Sequence, residues 1–133
     1  MTTNEKILKF LNECGVFYYA SVDNGKARVR PFGMAAIVNG KLYFGMGKHK
    51  RSYRETEENP YIEICACKGG EWLRIRGKAV FDWDPATEQI LFEQYPFLKE
   101  KYGPDSELTH AAFCLEEMEA DYNNMQGVCE FWT

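Results

Sequence analysis

The sequence predicts a mainly β (α+β) domain, a small antiparallel barrel carrying short helices. Three observations predict it. Strand-like stretches rich in apolar and aromatic residues recur along the chain. Turn dipeptides such as Asn24-Gly25, Asn39-Gly40 and Gly69-Gly70 separate them at hairpin spacing, and only short stretches carry helical periodicity. A chain of 133 residues closes one hydrophobic core without staples, so residues 1–133 are read as a single domain.

The elements follow in order. Residues 4–14 place Ile7, Leu8, Leu11 and Cys14 on one helical stripe, with Thr2 or Thr3 as cap. Residues 16–22, VFYYASV, are aromatic and β-branched, as a strand requires. Asn24-Gly25 supplies the positive backbone angles of a tight hairpin. Ala27 to Val38 returns as a long strand interrupted at Pro31 and Gly33, and a proline there implies an edge or a bulge. After Asn39-Gly40, KLYFG is a third strand. Residues 50–58 are helical and stop before Asn59-Pro60. YIEICACK (61–68) and EWLRIRGKAVFDW (71–83) form the next hairpin. Asp84-Pro85 opens a helix that runs to about Tyr95, with a further turn or two to Tyr102. Ala111–Tyr122 and Val128–Trp132 add one or two strands.

Composition narrows the function. No apolar run approaches the roughly 20 residues of a membrane span, and the charged, amphipathic N-terminus is unlike a signal peptide, so a cytoplasmic location without membrane contact is expected. The five cysteines are odd in number and lack metal-site spacing, so free thiols and no metal are expected. The chain is acidic, with 20 acids against 16 bases. Yet residues 26–54 hold eight bases and no acid, while residues 81–133 hold twelve acids and two bases. This segregation points to an anion met by the first half. The acidic remainder argues against a nucleic-acid track.

Three stretches carry the candidate site. In GMGKHKRS, Gly45 and Gly47 permit close backbone approach, and the following helix start offers free N–H groups. Lys48 and Lys50 bring charge there, and Ser52 a hydroxyl. In KARVRPFGM, Arg28 and Arg30 share a strand face and repel unless an anion or a carboxylate separates them. Pro31 and Gly33 release backbone groups that a polar ring can satisfy. In EWLRIRG, Trp72 is an apolar plate on the face of Arg74. Read singly, the same stretches also fit a solvated helix face, a plain edge strand and a core tryptophan. His49 reads as part of the basic loop and His110 as a loop residue, and no catalytic residue is identified.

In order, these segments resemble the pyridoxamine 5'-phosphate oxidase-like family of FMN-binding split barrels. The likeness runs through Gly25, Arg28-Val29-Arg30-Pro31-Phe32, Asn39-Gly40, Leu42-Tyr43-Phe44-Gly45, Lys50, Asn59-Pro60, Ile62-Glu63-Ile64, Trp72-Leu73-Arg74-Ile75 and Gly77-Lys78-Ala79. It covers residues 5–95 best and is closest to small uncharacterised members and nitroimidazole-resistance reductases. The resemblance implies a six-stranded split barrel and a homodimer with FMN at the subunit interface. It implies that Arg30 reaches the flavin phosphate or ribityl chain, with Arg28 beside it. Pro31, Phe32 and Gly33 would line the ring, Phe44 and Gly45 would add backbone, and Lys50 with Lys48 and Ser52 would hold phosphate. Trp72 would contact the flavin. The implied activity is transfer of electrons from reduced FMN to a small planar acceptor. A non-catalytic flavin or haem binder and a deazaflavin-dependent reductase are the alternatives on the same fold.

Overall fold

The computed structural model describes all residues from Met1 to Thr133. Helix α1 (Thr3–Cys14) opens on a capping box in which Thr2 and Glu5 satisfy each other's backbone. Its Ile7, Phe10 and Leu11 are buried. Strands β1 (Phe17–Asp23) and β2 (Lys26–Phe32) form the first hairpin. Asn24 and Gly25 both carry positive φ, as the turn demands. Strands β3 (Ala35–Val38) and β4 (Lys41–Gly47) form the second. Helix α2 (Arg51–Glu58) leads to β5 (Tyr61–Lys68) and β6 (Glu71–Asp82). Asp84 caps α3 (Pro85–Gln94) by accepting from the Ala86 N–H, and α4 (Pro96–Tyr102) follows directly. The chain ends in β7 (His110–Asn124) and β8 (Cys129–Phe131).

All strands join one antiparallel sheet in the order β2-β1-β5-β6-β7-β4-β3, with β8 added on β7. The count is therefore eight, not six. Gly33 and Met34 split the expected Ala27–Val38 strand into two, and β8 is a short eighth. β2 and β3 are neighbours in sequence yet lie at opposite ends of the sheet and do not pair. The sheet is thus rolled into a barrel whose seam is crossed by the chain at Gly33-Met34 rather than by a ladder. Pro31 lies on β2, an edge strand, where a missing N–H is tolerated. His110, expected in a loop, is the first residue of β7.

Alternation sorts the side chains. Phe17, Tyr19, Phe44, Ile64, Leu73, Ile75 and Phe113 fill the barrel interior. A second cluster packs α3 and α4 on the outside of β3, β4 and β7 through Met34, Tyr43, Leu91, Leu98 and Tyr102. The roll depends on a bulge: the β6–β7 register shifts between Arg76 and Lys78, opposite Glu117 with its positive φ. At Gly77 a Cβ would stand 2.8 Å from the Glu116 carbonyl oxygen. Gly77→Ala is therefore expected to lower stability by about 1–3 kcal/mol, read as a shift of the urea midpoint at unchanged slope.

Candidate functional site

The two strands that end near the seam, β2 and β4, carry most of the residues that the sequence singles out. They form two neighbouring features, a charged corner and an apolar cleft.

In the corner, Arg28 and Arg30 share the inward face of β2, opposite Ser21 and Tyr19 of β1. The anion between the arginines comes from the chain itself. Arg30 donates to Glu55 Oε1 at 2.6 Å and to Ser21 Oγ at 2.8 Å, and Ser21 donates in turn to Glu55 Oε1 at 2.7 Å. Arg28 and Arg51 lie 3.5 and 3.2 Å from Asp23 Oδ2. Glu55 is 1% exposed, and its second oxygen has no hydrogen-bond partner but stands 3.9 Å from Arg51 Nε. Burial pushes the Glu55 carboxyl up, and the hydrogen bonds from Ser21 and Arg30 with the Arg30 charge more than offset it, so the group stays below the usual carboxylate range. Three arginines against Asp23 and Glu55 leave one net positive charge. Lys48 and Lys50 add two more, and neither is in an ion pair. Lys50 stands at the N-cap of α2, whose first turn holds no acid. Lys48 Nζ lies 5.3 Å from the Trp83 ring centroid. Ser52 is buried under α2.

The cleft, of about 280 Å³, lies where Phe32, Gly33 and Met34 cross the seam beside Gly45 of β4, with α4 as its outer wall. Gly45 and Gly47 point to this outer side of the sheet, alternating with Phe44 and Met46, which pack inward. The space their missing side chains leave is taken by rings. A Cβ on Gly45 would overlap the His110 imidazole, and one on Gly47 would overlap His49 and crowd the Tyr102 hydroxyl. The room these glycines leave is thus taken by both histidines of the chain. His110 is 5% exposed, and its Nδ1 is buried without a partner. Burial lowers its pKa from 6.5 to about 4, so the ring is neutral at pH 7.

The other expected contacts separate. Phe44 lies in the core against Phe17 and Phe113, leaving only its backbone for any ligand. Pro31 is paired with Tyr18 and Trp72 with Cys67, on the outer face, opposite to that of Arg30. One chain does not bring Trp72 to the corner. Glu55, Asp23, Lys101 and Tyr102 are not among the candidates that the sequence singles out, and His110, expected as a loop residue, lines the cleft. The alternating Gly45-Met46-Gly47 was the one signal for the rings, since an unfilled stripe on a strand face must be covered by something.

An antiparallel sheet rolled around one core and left unpaired between β2 and β3 is a split barrel. The chain belongs to the pyridoxamine 5'-phosphate oxidase family, which matches residues 3–114. Among solved structures it is similar to a NimC/NimA family protein from Clostridium acetobutylicum, with 30% identity, a TM-score of 0.88, and coverage of 98% of this chain and 94% of that one. A pyridoxamine 5'-phosphate oxidase-related, FMN-binding protein from Nostoc punctiforme shares the fold at 13% identity and a TM-score of 0.65, over 92% and 82% of the two chains. A heme-binding protein from Mycobacterium smegmatis does so at 12% identity and a TM-score of 0.74, over 100% of this chain and 58% of that one. The comparison with curated proteins finds no match. No helix is long and apolar enough to cross a membrane.

The buried neutral imidazole makes a pH prediction. An unfolded histidine binds a proton below about 6.5, but the folded His110 only below about 4. The unfolded state therefore takes up more protons between these values, and stability rises with pH through that window. From pH 7 to pH 4 the wild type should lose roughly 3 kcal/mol more than His110→Gln, measured by urea titration at each pH.

Proposed function

We propose that this chain is an FMN-binding flavoprotein that works as a homodimer and passes electrons from reduced flavin to a small planar acceptor. The observation that carries the reading is the pairing, at the end of β4, of a corner with surplus positive charge and a ring-sized apolar cleft. Flavin phosphate is a dianion, and Lys48, Lys50 and the start of α2 offer charge and donors of the right kind. Phe32, Gly33 and Gly45 line the adjoining cleft, which suits a planar ring in size and polarity. The Nostoc protein of the same fold is named for FMN binding, which supports the choice of flavin. Bound flavin would supply the redox chemistry, and the protein supplies position, charge and exclusion of water. In this reading Arg30 organises the corner through Glu55 and is not a free phosphate ligand.

The second copy is supported by the outer face of the sheet. Tyr18, Val29 and Tyr61 stand there 51, 68 and 60% exposed, on the same sheet face as Trp72. Solvent-facing aromatic and branched side chains grouped on one sheet face suit an interface. A partner chain packed there would supply Trp72 to a site it cannot reach within its own chain.

The test is the visible spectrum of the purified protein after adding FMN and removing the excess. A retained flavin spectrum is expected, and Lys50→Ala should weaken retention about tenfold with folding unchanged, as expected for one charge-assisted phosphate contact. Arg30→Ala is a poor substitute, because it strands the buried Glu55 carboxylate and destabilises the corner for that reason alone. A protein that retains no FMN but takes up haem or deazaflavin would keep the barrel and replace the cofactor. In the same preparation, Tyr18→Glu should convert a dimer to a monomer by light scattering and release the flavin. A wild-type monomer that still retains FMN would remove the interface from the reading.

A further inference from the structure

A second cavity, larger than the flavin cleft, plays no part in the proposed function. Its volume of about 850 Å³ is within the range of sites that enclose a whole small molecule. It opens beside Gly40, in the turn before β4, whereas the proposed flavin site gathers at the other end of that strand, at Gly45 and Gly47. The face assigned to a second copy is carried by β1, β2, β5 and β6, and this cavity lies along the far edge of β7.

A break in the sheet makes the cavity. β7 has β6 along one edge. Along the other it meets β4 as far as Cys114 and β8 from Asp121. Residues 115–120 between them have no strand on that edge, and Trp132 closes one end by donating its N–H to the Ala120 carbonyl at 3.0 Å. Ile37, Met118, Ala120, Phe131 and Trp132 supply an apolar lining, and Phe131 is 64% exposed.

Charge then selects the occupant. Glu5 and Glu119 line the cavity, and no lysine, arginine or histidine does. Each carboxylate has one oxygen engaged, Glu5 by the Thr2 N–H and Glu119 by Arg76, which leaves the other open. The neighbouring donors are spent: Thr3 donates to the Thr133 carbonyl and Asn4 to the Gly40 carbonyl. What remains is acceptor oxygen, which suits a donor and repels an anion. One ammonium already rests nearby on an aromatic face. Lys6 Nζ lies 4.1 Å from the Trp132 ring centroid and belongs to no ion pair. The twelve acids and two bases of residues 81–133 add a field that favours a cation.

We propose that this cavity binds a lipophilic amine, with its apolar body among Met118, Ala120 and Phe131 and its ammonium held by the open oxygens of Glu5 and Glu119. The exposed Phe131 ring adds a face on which a cation is attracted. This site does not depend on the flavin reading.

The probe is 1-naphthylmethylamine, titrated by calorimetry at pH 7 and followed by NMR of the indole N–H groups, with Trp132→Phe assigning the Trp132 signal. The amine should move that signal and leave those of Trp72 and Trp83 in place. The anion 1-naphthylacetate, with the same ring, should bind about tenfold more weakly or not at all. The double variant Glu5→Gln/Glu119→Gln should weaken amine binding about tenfold. Its fold is protected, since glutamine preserves the capping box and Arg76 keeps Asp121 as its partner. FMN at saturation should leave amine binding unchanged. The proposal falls if the anion binds as well as the amine, if the Trp132 signal stays in place, or if the double variant binds like the wild type. Displacement of the amine by FMN overturns it too. The comparison of amine with anion needs only the wild type, so it decides even where the double variant does not fold. Flavin retention is read from the absorption of the same samples, so loss of one site is told from loss of the other.

Discussion

Strand β7 has to satisfy its backbone along both edges, and the rest of the fold follows from how it does so. Its fifteen residues pair with β6 from Ala112 onward, and its first five, His110 to Cys114, pair with β4, so Ala112, Phe113 and Cys114 are held on both edges. A strand hydrogen-bonded on both sides to strands from distant parts of the chain turns a meander into a barrel. The bulge at Gly77 and Glu117 supplies the bend that lets one long strand serve both neighbours. The same pairing sets His110 opposite Gly47, carrying a residue from the last quarter of the chain into the glycine stripe of the fourth strand.

Charge has an equally local logic. The concentration of bases in residues 26–54 is real, but Asp23 and Glu55 stand immediately outside that window and take up three of the arginines. The chain brings its own carboxylates to the basic segment, one from each flank. The Arg30–Glu55 pair is nearly out of water, so its strength depends on Ser21 completing the coordination. What remains for an external anion is the surplus carried by Lys48 and Lys50, placed by the turn that starts α2.

Much of the fold was legible because its signals are local. Thr2 with Glu5, Asp84 with Pro85, and the Asn-Gly turns each act within four residues, and each ends or begins an element where the sequence placed it. The shared face of Arg28 and Arg30 followed from alternation alone. The same alternation, applied across the hairpin registers, would have placed Trp72 on the opposite face from Arg30. Glu55 was hidden because a helical glutamate among several others carries no mark of burial. His110 was hidden because its environment is made by β4 and α4, more than sixty residues and about ten residues away in sequence. The division of β2 from β3 was half legible: Pro31 and Gly33 marked a break, but not that the two halves lie at opposite ends of the sheet.

That division has a mechanical consequence. Everywhere else around the barrel, moving two neighbouring strands apart breaks ladder hydrogen bonds. Between β2 and β3 there are none to break, and a short covalent link through Gly33 and Met34 keeps the strands from parting. The seam is therefore the most compliant line on the barrel wall, able to widen by rotating a few backbone bonds while each flanking hairpin stays whole. The cleft sits on that line, so its width can adjust without disturbing the strands that support it.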